Sequence, residues 1–304
     1  MEYSEFSEGE RYMQQLTGEQ ETAFRNARIV KPVIVPQLYD FIKTRQVFFI
    51  ASIDGQGRVW ASVLSGRTGF VITDQPNYLC IDPDLVVSNA NDIFWKNIQF
   101  QSEVGILFID LISRMRYRIN GTIIAKNNGY LVEVDQAFAN CPKYIQRRQI
   151  NTDDSSSTSL GQDLRAWVKR MDTFFVASAD KHMSLDISHK GGNPGFIQWM
   201  GDDVLRIPDY TGNSMFMTLG NFYENPEAGL LFVDFTNGET VQMTGHVTFS
   251  INKNGTENFN GQPDRFWDFT IGQVRFDKSL PNFSTALIDY SPYNPPVEEY
   301  KNQS

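Results

Sequence analysis

Ser188, His189 and Lys190 stand in a row and run straight into Gly191 and Gly192. A hydroxyl, an imidazole and an ammonium, followed by residues that let the backbone approach closely, are the types that can hold an anion. Further on, Gly212, Asn213 and Ser214 precede the apolar run MFMTLGNFY, at the expected N-terminus of a helix. Free N–H groups and the positive end of the helix dipole favour an anion there too. Other chemistries are weaker. Adjacent residues of a strand point to opposite faces, so Ser188 and His189 do not form the nucleophile and base of a hydrolase. The two cysteines, Cys80 and Cys141, and the three histidines, His182, His189 and His246, show no metal-ligand spacing.

The elements that must position these residues are written twice. FFIASIDGQGRVWASVLSGRTGF, from Phe48 to Phe70, returns as FFVASADKHMSLDISHKGGNPGF, from Phe174 to Phe196, at an offset of 126. From Gln46 to Val71 the ungapped match keeps nine of 26 residues, including Ser62/Ser188 and Gly66/Gly192. NIQFQSEVGILFIDL (97–111) then meets NFYENPEAGLLFVDF (221–235) at an offset of 124, with Asn97/Asn221 and Gly105/Gly229 coinciding. The chain is a tandem of two homologous units. Each unit reads as short β-branched and aromatic strands divided by turn formers, with one internal helix, as in NDIFWKNIQF capped by Asn91 or Asp92. Five to seven such strands predict a small closed or partly closed barrel. The expected division is an arm over 1–35, a first barrel over 36–152, a polar linker over 153–162, a second barrel over 163–280 and a tail over 281–304.

The 304 residues suit about two domains, and 41% apolar with 13% aromatic residues suffice for substantial cores. A net charge of −9 argues against a general nucleic-acid partner and leaves room for a local basic pocket. The polar, acidic N-terminus has no apolar leader-like region, and no run reaches membrane-spanning length, so a cytoplasmic protein without a membrane partner is expected.

The motifs FFxAS, WASVLSGRTGF, DISHKGGNPGF, YTGNSMFMTLGN, NPEAGLLFVDF and NCPKYIQRR resemble the pyridoxamine 5'-phosphate oxidase-like, FMN-binding split-barrel superfamily, in particular its tandem bacterial members. The resemblance spans about residues 36 to 250. It implies a mainly β fold of two split barrels forming an internal pseudo-dimer, with FMN in the cleft between them. It also implies an oxidoreductase acting on a small molecule, with NADH or NADPH as candidate reductant; tandem chains could pair further as homodimers. Lys190 looks like the family's flavin-phosphate lysine, and His189 and Lys190 meet only Val63 and Leu64 in the first unit. One FMN per chain is therefore expected, on Ser188, His189, Lys190, Gly212, Asn213 and Ser214. The first unit would supply walls from Trp60, Ser62, Lys143, Tyr144 and Arg147. Arg114, Arg116 and Arg118 make one strand face cationic, either solvated or lining the cleft. A non-catalytic flavin-binding module is the alternative, and haem binding, which needs a histidine ligand, a third. The family's Arg-x-His substrate grip has no match near the C-terminus, which puts vitamin B6 oxidation in doubt.

Overall fold

The computed structural model describes residues 6–126, 129–150, 159, 161–251, 265–280 and 283–297. Most of the predicted linker, and the tail beyond 297, lie outside the described residues. Two helices open the chain, α1 (Glu8–Thr17) and α2 (Gln20–Ala27). Ser7 and Glu10 close a reciprocal capping box at the start of α1, and Gly18, left-handed at φ 71°, turns the chain into α2.

The first unit follows as α3 (Tyr39–Lys43), β1 (Val47–Ile53), β2 (Val59–Ser65), β3 (Val71–Gln75), β4 (Tyr78–Ile81), α4 (Ile93–Asn97), β5 (Glu103–Asp110), β6 (Met115–Ala125) and β7 (Tyr130–Ala139). After β8 (Arg147–Ile150) the second unit repeats the plan. It comprises α5 (Leu164–Arg170), β9 (Thr173–Ala179), β10 (Leu185–Gly191), β11 (Gln198–Trp199), β12 (Val204–Pro208), α6 (Met217–Glu224), β13 (Glu227–Val233), β14 (Thr240–Ile251) and β15 (Arg265–Asp277). The C-terminal segment adds β16 (Thr285–Asp289), which pairs antiparallel with β8.

The two seven-stranded sheets have the same order, β2-β1-β5-β6-β7-β4-β3 and β10-β9-β13-β14-β15-β12-β11. In the first sheet every strand sends apolar side chains into a single core, and in the second every strand but β10 does so, β11 through the partly buried Trp199, so each sheet curls into a barrel split between its two end strands. Period-two alternation explains why β1 and β9 are buried on both faces. Phe48 and Ile50 fill the first barrel, and Phe174 and Val176 the second. Their neighbours Phe49, Ala51, Phe175 and Ala177 face the other way into a third core, shared by the two units. There the rings of Phe49 and Phe175 stack at 3.4 Å between centroids.

Gly105 and Gly229, 124 positions apart, make the close approach possible. A Cβ on Gly229 would come within 2.6 Å of the Trp60 backbone, and one on Gly105 within 3.0 Å of the Asp186 backbone. The barrels therefore touch backbone to backbone about a pseudo-two-fold axis.

The internal helices hold one matched bond each. Asn97 Nδ2 donates to Ser52 Oγ at 2.9 Å, and Asn221 Nδ2 to Ser178 Oγ at 3.0 Å. The second of these helices starts later than the sequence suggests: Gly212, Asn213 and Ser214 form a loop ahead of it, and Phe216 is its N-cap residue.

Candidate functional site

Between the barrels lies a cleft of about 940 Å³, counting the solvent at its mouth. The first unit contributes Arg116 and Arg118 from β6 and the segment from Asn140 to Tyr144. The second contributes Ser188, His189 and Lys190 from β10, the 208–216 segment, and the first turn of α6. Five Arg or Lys side chains line the cleft against two carboxylates, Glu19 and Asp209, within a chain whose net charge is −9. That is a local cationic pocket on an acidic protein.

Not all of that charge is free. Lys190 Nζ donates to Asp209 at 3.0 Å; Arg265 bonds Glu19 at 2.6 Å and lies 3.4 Å from Asp209. Those four residues balance. Arg118, which is 5% exposed, pairs with Asp186 at 2.8 Å. Its second amino group donates to Ser188 Oγ at 2.6 Å, and Ser188 Oγ lies 2.9 Å from Thr218 Oγ1. Among the described residues, Arg116 has no carboxylate partner; it reaches His189 Nδ1 at 3.5 Å and His189 O at 3.4 Å. Burial, and then the neighbouring Arg118, draw its pKa down to about 10, so it stays charged at neutral pH. Burial, with Arg116 and Lys190 beside it, also holds the His189 imidazole well below its usual pKa. His189 is a neutral ring, packed edge-on against Phe175. Lys143 lies over the ring of Tyr293 at 5.5 Å. Among the described residues, the cations facing the cleft without a carboxylate partner are thus Arg116 and Lys143.

The chemistry of the pocket comes to a focus at α6. This helix has no side-chain cap: its N-cap residue is Phe216, with φ 61°. The first N–H groups of a helix have no intrahelical acceptor and carry the positive end of its dipole. Thr218, Ser188 and Arg118 meet beside them.

The pseudo-equivalent place in the first unit is built differently, with Phe94 where Thr218 stands. Gln242 stands where Arg118 does and donates to Ser62 Oγ at 2.8 Å. Asp92 stands at the N-cap position matching Phe216; its Oδ1 accepts from Ser62 Oγ at 2.6 Å and from Phe94 N at 2.9 Å. A buried carboxylate of the protein itself thus sits on the hydroxyl and the helix N-terminus.

Of the expected site residues, the structure brings together Ser188, His189, Lys190, Gly212, Asn213, Ser214, Lys143 and Tyr144. Lys190 and Ser214 are engaged, by Asp209 and Glu19 respectively. Tyr144 spans the cleft, its hydroxyl donating to Thr211 O at 3.0 Å.

Three residues lie elsewhere. Trp60 is buried, its Nε1 donating to Asp54 at 3.0 Å. Ser62 belongs to the first-unit site just described. Arg147 pairs with Asp289 beside β16, outside the cleft. Of the cationic face that sequence left as solvated or lining the cleft, Arg116 and Arg118 line it; sequence reasoning missed Thr218, Asp209, Arg265 and Glu19.

No protein-family model matches the chain, and no curated protein does. Solved structures do resemble it, each over about two-fifths of its length. HupZ from Group A Streptococcus is 14% identical, over 42% of this chain and 99% of its own, with a TM-score of 0.31. HutZ, described as a heme storage protein, from Vibrio cholerae, is 9% identical, over 39% and 94%, with a TM-score of 0.29. A Clostridium acetobutylicum protein of the pyridoxinephosphate oxidase family, related to general stress protein 26, is 14% identical, over 41% and 91%, with a TM-score of 0.28. These are likenesses of fold. No described helix is long and apolar enough to cross a membrane.

Proposed function

We propose that the cleft binds FMN, one per chain, and that the protein is a flavin-dependent oxidoreductase acting on a small molecule. The observation that carries this reading is the contrast between the two helix N-termini. Where the first unit supplies Asp92 as its own anion, the second offers an uncapped helix, two hydroxyls and an arginine. That donor set suits a phosphate dianion. Phe196, Tyr210 and Met217 offer a planar ring apolar and aromatic surface. Arg116 and Lys143 supply positive charge for negative charge that builds on the ligand.

Bound there, the flavin would supply the electron-transfer chemistry. The chain's own residues would bind and orient it and bring the partner substrate to its face. Tyr144, held across the cleft by Thr211, narrows the opening on that side.

The non-catalytic alternative has support of its own. Glu19 and Asp209 are engaged in ion pairs and His189 is held neutral by burial, so among the described residues the cleft offers no unpaired carboxylate and no charged imidazole. Turnover on NADH or NADPH separates the two readings, since a storage or sensing module would bind flavin without oxidising either.

Flavin titration followed by visible absorbance tests the binding reading, with one equivalent per chain expected. Thr218→Asp would give α6 the internal anion that Asp92 gives α4. An acidic residue in the first turn also suits the helix dipole, so the fold should survive. Expected is a loss of FMN affinity of at least about a hundredfold, since charged hydrogen bonds are worth about 1.5–3 kcal/mol each. Undiminished binding in Thr218→Asp, or two equivalents in the parent, would refute the placement.

A further inference from the structure

We propose that the N-terminal helical hairpin is part of this binding site, with Gln14, Glu19 and Asn26 as positioning residues that fix the loop ahead of α6 and so aim the helix at its ligand. The inference rests on the reading of the cleft as an anion site and adds a part that lies outside both barrels.

Each of the three side chains bonds a successive residue of the loop. Asn26 Nδ2 donates to Asn213 O at 2.7 Å; Ser214 Oγ donates to Glu19 Oε2 at 2.5 Å; Gln14 Nε2 donates to Met215 O at 3.2 Å. The loop needs such a hold. Ser214 and Phe216 both lie in the left-handed region, at φ 61°, which is unfavourable for residues with a side chain. Such conformations persist only where the surroundings over-determine them. Among the described residues, the matching stretch of the first unit is held from β15 instead, Asn89 Nδ2 donating to Asp277 and Arg275 to Asn91 O at 3.4 Å, and its cap residue Asp92 has φ −55°.

The hairpin is itself well anchored. Gly9 and Gly220 let α1 and α6 meet backbone to backbone; a Cβ on Gly9 would lie 2.0 Å from Gly220 O. Gly9 N donates to Glu224 at 2.7 Å. Phe6, Ala23, Ala27 and Val30 share one apolar cluster with Phe138 of the first barrel and Met215 of the second. The hairpin therefore ties both walls of the cleft to the loop.

Glu19 has a second conceivable role, because it also places negative charge on Arg265 inside the cleft. Position and charge predict opposite results. If Glu19 positions the loop, Glu19→Ala weakens ligand binding while Glu19→Gln, whose carbonyl still accepts from Arg265 and whose amide N–H donates to the Ser214 hydroxyl in place of accepting from it, retains most of it. If it acts by charge alone, both variants tighten binding of an anion.

The experiment measures the FMN dissociation constant and the amide exchange of residues 215–218 in full-length Glu19→Ala, Glu19→Gln and Asn26→Ala. Expected is a rise of about tenfold in the constant for both alanine variants, because apparent affinity falls with the fraction of loop in its competent form. Glu19→Gln should stay within about threefold of the parent, and exchange should speed up in the alanine variants alone. Tighter binding in both Glu19 variants, or exchange unchanged in all three, would overturn the proposal. A parent that binds no FMN would overturn the flavin reading instead, and the exchange rates would still decide the role of the hairpin.

Discussion

Burial pushes the Asp92 carboxyl up to about 6, against an ordinary value near 3.8. A carboxyl whose folded pKa is raised favours the fold in its protonated form. That contribution is whole below about pH 4 and is lost as pH rises through 6. Asp92→Asn keeps an acceptor for Ser62 and the Phe94 amide and removes the charge. Thermal melts should show the parent losing stability between about pH 4 and 7 relative to Asp92→Asn, with the variant melting higher at pH 7.5. Parallel profiles would mean that Asp92 is ionised at no cost.

At this scale the sequence was legible in one respect and misleading in another. The loss of His189 and Lys190 from the first unit marks the two clefts as different, and the cleft residues of β10 are where the repeat points. Trp60 and Ser62 misled because residues 126 apart in a pseudo-two-fold tandem occupy opposite clefts. The first unit reaches the second cleft through β6 and the 140–144 segment instead, and nothing in a linear repeat says so.

Among the elements, α6 bears on both the site and the hairpin. Its glycine, Gly220, faces Gly9 of α1, and the pair works only while both lack side chains. Gly9→Ala should favour the isolated helix slightly yet push α1 off α6, since the clash is with backbone. The expected outcome is a lower Tm, with hydrogen-exchange protection lost in α1 but kept in β9 and β13. Protection retained throughout α1 would show that the contact can yield. The barrels were readable from alternation and repetition, because period-two patterns and turn formers act locally. The hairpin was not: its sequence is polar, its apolar residues are few, and the partners of Gln14, Glu19 and Asn26 lie about two hundred positions away. The loop ahead of α6 read as helix because its residues tolerate one; the bonds that hold it otherwise are tertiary.

For the molecule as a whole, the shared core decides how far the two units can be treated apart. Phe49 and Phe175 stack at its centre, both about fully buried. Phe49→Ala should cost about 3–5 kcal/mol, the usual range for a buried phenylalanine. Chemical denaturation should still show one transition for both barrels, because each loses the same interface. Two separate transitions would mean that the barrels are independent and the cleft only an adjacency. The duplication also freed the clefts to differ: Arg118 and Gln242 occupy equivalent places, which a dimer of identical chains could not arrange.

The bond between Glu19 and Arg265 joins positions 246 residues apart. On a ribosome the hairpin emerges before either barrel, yet the strand that carries Arg265 comes after every other strand of the second sheet. The first barrel can close while the second is still being made, but the ligand cleft cannot. The hairpin must therefore wait for both barrels to be synthesised before it can dock, and the binding site forms only after β15 has emerged.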